Sequence, residues 1–233
     1  MEMKTAAFCT AFLILALAGC SEATGPTVHE TQSVAHDTAT TLRADIHMSA
    51  GTLRLAGGST DWLNGDFAYN VPEWKPKITY TLVGAGGDLR VEQPGSQTKH
   101  SNTTNEWNLH LNDDVATDLK TEVGAGESFL NAGTMNLRSL SIEMGAGTLN
   151  LDLRGHPKRS YELRIRGGVG DAKVFLPASV GLYLEAAGGI GDVNVQGLRK
   201  ENGHWINDLY GTSPIQIHAD IKGGVGGITV NAE

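Results

Sequence analysis

The chain has 233 residues, of which 30 are glycine and 6% aromatic, and a formal net charge of −8. An acidic chain without a basic patch excludes nucleic acid as a partner, and a glycine-rich, aromatic-poor composition favours a many-cornered β architecture over a helical bundle. The two cysteines, Cys9 and Cys20, both fall in the first twenty residues, so the rest of the chain has no thiol for a disulfide, a zinc site or a nucleophile.

Residues 1–19 read as a targeting segment. Lys4 leads into an apolar run from Ala6 to Ala18, too short for a comfortable membrane span and suited to a signal peptide. The run ends in Leu17-Ala18-Gly19-Cys20, which resembles the bacterial lipobox, in which the cysteine is lipidated and becomes the mature N-terminus. That resemblance implies a lipid-anchored protein of the cell envelope. Ser21 after the cysteine resembles the pattern sent on to an outer membrane where the bacterium has one. Attachment is then expected through acyl chains, since anionic lipid repels an acidic protein face. Residues 20–43 are polar and aperiodic, with Pro26 and several threonines, and are expected to form a flexible tether.

Residues 44–233 read as a single β-repeat domain. Its clearest phrase is Leu140 to Leu153, where Leu140, Ile142 and Met144 alternate with polar residues before Gly145-Ala146-Gly147, and Leu149, Leu151 and Leu153 do so after it. Alternation on both sides of a glycine corner marks two half-buried strands. Aligning the last corner glycine of each copy gives Gly51, Gly87, Gly126, Gly147, Gly170, Gly191 and Gly226, with steps of 36, 39, 21, 23, 21 and 35 residues. The short steps define a repeat of about 22 residues, and the long ones carry insertions.

Two all-β folds can use such a repeat. In a right-handed β-solenoid the copies stack as coils about 4.8 Å apart; in an antiparallel β-sandwich the corners are hairpin turns. Stacking in sequence order sets Glu143 beside Arg166 and Arg164 beside Glu185, both favourable, and Glu122 beside Glu143, which is not. The balance favours the solenoid, with the sandwich as the alternative. The insertions, residues 57–76, 94–116 and 196–214, hold Trp62, Trp74, Trp107 and Trp205, with Tyr69 and Tyr210. These aromatics have two readings: they fold back to cover the open ends of the stack, or they form an exposed interaction surface.

The chemistry-bearing patterns are weak. After Gly147, Gly170 and Gly191 the third glycine of a dinucleotide fingerprint is replaced by Asn150, Lys173 and Asn194, each in a strand pattern, so that reading fails. Asp171 and Asp192 follow their glycines directly at a 21-residue step, unlike the nine-residue calcium repeats, and read as turn aspartates. The eight histidines show no zinc spacing, and no Gly-x-Ser-x-Gly elbow occurs. Asp113 and Asp114 are adjacent in an insertion and read as a loop turn. No catalytic residue, metal ligand or cofactor is expected.

Taken together, the glycine corners and the phrases Gly65-Asp66-Phe67-Ala68-Tyr69-Asn70, Trp74-Lys75-Pro76, Asn105-Glu106-Trp107-Asn108-Leu109, Asn136-Leu137-Arg138-Ser139-Leu140 and Asn207-Asp208-Leu209-Tyr210-Gly211 resemble the bacterial toast-rack lipoproteins. These are similar in their repeats to the LiaF-like C-terminal domain of cell-wall-active antibiotic response proteins and to adhesin-type β-repeat domains. The resemblance implies a non-enzymatic envelope lipoprotein whose repeat domain is an interaction or scaffold surface for an envelope protein or glycan. A stress-sensing accessory that modulates a signalling partner is the alternative, and a glycan-active enzyme the third reading.

Overall fold

The structure, a computed structural model, describes residues 24–95 and 102–233; the expected signal peptide and Cys20 lie outside the described residues. In chain order the strands are β1 (Val28–Val34), β2 (Thr41–Ser59), β3 (Leu63–Tyr69), β4 (Lys77–Val83), β5 (Gly86–Glu92), β6 (Asn105–Asn112), β7 (Ala116–Asn131), β8 (Leu137–Asp152), β9 (Tyr161–Val169), β10 (Ala172–Leu176), β11 (Gly181–Ile190), β12 (Val193–Gln196), β13 (Arg199–Glu201), β14 (His204–Ile206), β15 (Gln216–Val225) and β16 (Ile228–Ala232), with a 3-10 turn at Pro72–Trp74.

The long strands β2, β7 and β8 each bend at a glycine corner. In β2 buried side chains fall on even numbers before the bend, as in Leu42, Ala44, Ile46 and Met48, and on odd numbers after it, as in Leu53 and Leu55; in β7 they pass from odd (Leu119, Val123) to even (Leu130). The corner's extra residue switches the parity, so both halves face the same core. The first halves pair in parallel with β5, β9, β15 and β11, and the second halves with β6, β10, β16 and β12. The result is a β-solenoid of two-stranded rungs. We call the sheet of first halves the front sheet and the other the back sheet; a single cluster of buried aliphatic side chains fills the space between them. Ile142 pairs with Ile165 on the next rung, as stacked repeats require, and parallel pairing throughout the body of the stack rules out the sandwich alternative.

At the corner the backbones approach too closely for any side chain. Gly51, Gly126, Gly147, Gly170, Gly226 and Gly191 all have φ between +130° and +141°, a region that disfavours L side chains. A methyl group on Gly147 would lie 1.8 Å from the Gly126 carbonyl oxygen, and one on Gly170 1.7 Å from that of Gly147. In a second column two residues earlier, Gly124, Gly145, Gly168, Gly224 and Gly189, an added methyl group would lie 2.2–2.4 Å from a backbone carbonyl oxygen of the neighbouring rung.

Three expectations are corrected by these pairings. The flexible tether expected over residues 20–43 does not hold for Val28–Val34, which pairs antiparallel with β3; its alternating exposed and half-buried residues suit an edge strand. Gly87 is not a corner. Gly84 and Ala85 form the two-residue turn of an antiparallel hairpin, Val83 pairing with Gly86, and a hairpin shows the same alternation around glycine as a solenoid corner. The rungs also do not stack in sequence order. Their order is β5/β6, β2, β7, β8, β9/β10, β15/β16, β11/β12, so Arg164 meets Asp220 rather than Glu185. Glu143 does pair with Arg166, and Glu122 with Glu143.

The long steps in the repeat mark these reversals. Further strands cover the two ends: β4 flanks β5 on the front sheet, β3 and β1 extend the back sheet beyond β6, and β14 and β13 extend the front sheet beyond β11. Where the β5/β6 rung lacks a glycine corner, two side chains take its place. The Gln93 side-chain oxygen accepts from the amides of Ser49 (3.0 Å) and Ala50 (3.2 Å), while the Asn105 side-chain amide donates to the Ala50 carbonyl (2.6 Å). They supply the hydrogen bonds that the next backbone would have made.

Candidate interaction surface

The six aromatic candidates do not share one exposed face. Trp62, Trp74, Trp107 and Tyr69 are buried at the β1–β6 end, where the core would otherwise meet water. Trp62 stacks between His36 at 4.1 Å and Tyr80 at 6.2 Å. Its indole N–H and the Tyr80 hydroxyl both donate to Asp37 Oδ1, at 3.3 and 2.8 Å. The Ala39 amide, first among these donors, holds the Asp37 carboxyl below its ordinary range, and burial with Asp37 pushes Tyr80 up to about 12. Trp107 meets Phe67 edge-on at 5.6 Å and donates to Asn105 Oδ1 at 3.0 Å. Tyr69 donates to Glu30, which also pairs with Lys75.

Trp205 and Tyr210 lie at the opposite end. Lys200 Nζ sits 4.6 Å above the Trp205 ring, and Tyr210 packs on Tyr183 (5.4 Å) and His218 (5.9 Å). An exposed surface made of all six aromatics is therefore corrected: burial at one end outweighs display, because a buried indole with its N–H satisfied stabilises more than an exposed one.

The two outward faces of the stack differ in chemistry. On the front sheet, side chains of successive rungs form charged columns. One runs Glu92, His47, Glu122, Glu143, Arg166, Lys222. Lys120 pairs with Glu122 and reaches Glu143 at 3.6 Å, His47 Nδ1 lies 3.0 Å from Glu122, and Arg166 pairs with Asp220. The hydrogen bond from Lys120 holds Glu122 below the usual carboxylate range, and that from Arg138 does the same to Asp118. The like-charged Glu122–Glu143 neighbours are tolerated because Lys120 bridges them.

The back sheet's outward face is amide-rich instead. A groove of about 360 Å³ crosses β6, β2, β7, β8 and β10, lined by Arg54, Asn108, Phe129, Asn131, Asn150 and Phe175 among others. It runs on past Arg54 and Asn108 into a second depression of about 420 Å³ over β3 and β1. Phe129 and Phe175 are half-buried. The Arg54 guanidinium lies 4.6 Å from the Phe129 ring, and Arg154 and Lys173 lie 4.5 and 5.0 Å from the Phe175 ring. Asp152, on the groove floor, is bonded by Arg154, which holds its carboxyl below the ordinary range.

The asparagines fall into two groups. Asn64, Asn70, Asn105, Asn112, Asn136 and Asn207 all have side-chain hydrogen bonds to neighbouring segments. Asn108, Asn131 and Asn150 have no such partner among the described residues. Sequence reasoning missed this groove. Its signal was a phenylalanine or asparagine at outward positions of the second half-strand in several copies, which looks like any solvated strand face until the register aligns the copies. Among the described residues there is no cluster of side chains fit to hold a metal ion.

Comparison with known proteins agrees with this architecture. The family model for the N-terminal domain of toast_rack, DUF2154, matches residues 23–175. A crystal structure of a candidate cell adhesion protein from Clostridium sporogenes is 33% identical, covering 89% of this chain and 100% of its own, with a TM-score of 0.85. A candidate adhesin from Bacteroides fragilis is 9% identical over 88% of this chain and 96% of its own, with a TM-score of 0.32, too low to bear on the fold. No curated protein matches. With more than half of its residues on the family model, and a repeat stack shared over its length with the Clostridium structure, the chain belongs to the toast-rack family.

Proposed function

We propose that this protein is a non-enzymatic interaction module of the cell envelope, anchored by lipid on Cys20 and displaying the outward faces of a stiff β-stack. The observation that carries the reading is the groove on the back sheet, where the amides of Asn108, Asn131 and Asn150, without a side-chain partner among the described residues, flank the half-buried rings of Phe129 and Phe175. The similarity to a candidate cell adhesion protein supports it. So does the state of the groove's carboxylate: Asp152, neutralised by Arg154, is poorly placed to act as a general acid, which needs a raised pKa.

Two measurements test the reading. Cys20→Ala is expected to move the protein from the membrane fraction to the soluble envelope fraction and to abolish metabolic labelling with a fatty acid. Unchanged fractionation of the variant would remove the anchor. For the surface, crosslinking in intact cells from a photoreactive residue at Asn131 is expected to capture envelope material that the same residue at Glu143 does not; equal capture from both faces, or none, would count against a dedicated surface.

A further inference from the structure

We infer that the back-sheet groove is a binding site for a neutral oligosaccharide. The inference rests on the interaction reading above and names the ligand class of that surface. It begins from what the groove offers. A sugar ring presents patches of C–H on its faces and hydroxyls around its rim. The C–H patches favour the face or edge of an aromatic ring, and each hydroxyl needs a donor and an acceptor at once. Phe129 and Phe175 supply the rings, and the amide side chains of Asn108, Asn131 and Asn150 supply both donor and acceptor.

The register fixes the layout. Phe129 pairs with Asn150 and Asn150 with Lys173 across β7, β8 and β10; Asn131 pairs with Asp152 and Asp152 with Phe175 on the row beside it. The two phenyl groups therefore sit on alternate rungs, about 10 Å apart across the strands at the spacing of a β-sheet, with Asn150 and Asp152 on the rung between them. That separation suits a short linear chain of sugar units lying across the rungs. It is too long for one small metabolite to touch both rings.

Charge argues for a neutral ligand. Asp152 is neutralised by Arg154, and the Arg54 and Lys173 cations rest against phenyl rings. Among the described residues, Arg54 and Lys173 have no carboxylate partner, but the register sets them three rungs apart, one against each ring, rather than side by side as a paired clamp on a charged group would be. The rings are also held in place by those cations, so little side-chain order is lost on binding.

The test uses the full chain and a panel of maltotetraose, cellotetraose and chitotetraose, with titration calorimetry as the readout. At least one is expected to bind. Phe129→Ala and Phe175→Ala are each expected to weaken it tenfold or more, and Asn150→Ala several-fold. Glu143→Gln on the front sheet is expected to leave it unchanged. Melting curves for each variant separate lost binding from lost folding. No binding across the panel, or binding that survives both phenylalanine substitutions, would overturn the inference. If crosslinking from Asn131 still captures a protein in that case, the interaction reading stands with a different class of partner; if capture from Asn131 is also absent, both fall.

Discussion

At position 147 two independent constraints exclude any residue but glycine. Its φ of +132° costs an L residue about 1–2 kcal/mol by itself, and a Cβ there would lie 1.8 Å from the Gly126 carbonyl oxygen. A clash with backbone cannot relax without parting two rungs. Gly147→Ala is expected to destabilise the protein by about 3 kcal/mol or more, a loss of roughly 6–12 °C in Tm for a domain of this size. Gly84→Ala provides the contrast. Its φ is +62° but nothing lies within 4 Å of the added methyl group, so the cost should stay near 1 kcal/mol. Equal melting shifts for the two substitutions would show that close approach, rather than conformation alone, does not govern the corner. Asparagines divide in the same way. Asn105→Ala would strip partners from the Ala50 carbonyl and the Trp107 indole, at about 2–4 kcal/mol, whereas Asn150→Ala on the outward face should change stability by less than about 0.5 kcal/mol.

For the individual strand, the sequence states the alternation and the bend clearly and the neighbours poorly. Leu140 to Leu153 announces two half-strands around a corner, and the structure contains them as β8. The same logic misplaced Gly87, because period-2 alternation about a glycine describes a hairpin as well as a corner. Distinguishing them needs the pairing partner, which is non-local. Val28–Val34 was hidden for a related reason: an edge strand buries little, so its pattern of exposed and half-buried residues resembles a polar linker. The aromatic insertions left two readings open, covered stack ends or an exposed surface, and sequence could not choose between them, since it shows a tryptophan's presence and not the Asp37 acceptor awaiting its N–H. The groove was the least legible feature. It exists only once β6, β2, β7, β8 and β10 are in register, and none of its residues is unusual alone.

The whole molecule carries most of its ion pairs on the front sheet, with the Asp152–Arg154 pair on the back, and its pH response follows from them. Hydrogen bonds from Lys77, Lys120, Arg138 and Arg154 lower the folded-state pKa values of Glu92, Glu122, Asp118 and Asp152 respectively. Lowered carboxylates contribute stability above their ordinary range and lose it as pH falls through the folded values. Each pair is partly exposed and contributes modestly. Denaturant midpoints should therefore hold between pH 7 and about pH 5 and fall below it; a midpoint that stays constant down to pH 3 would contradict the ladder's role. At the alkaline end, Tyr80 has its pKa pushed up to about 12. Its contribution is complete below the ordinary tyrosine value and lost as pH rises through the folded one, so Tyr80→Phe should flatten that limb.

The crossed order of the last rungs has a further consequence during synthesis. β15 and β16 are made after β11 and β12 yet lodge between them and β9/β10. Until they arrive, β11 and β12 have no place to dock on the growing stack, and the tail must wait as an open flap. A polypeptide cut short before Gln216 would thus lack not one coil but two, and would offer a raw sheet margin to proteases. A chain ending before Gln216 is therefore expected to be cut faster than the full chain in limited proteolysis.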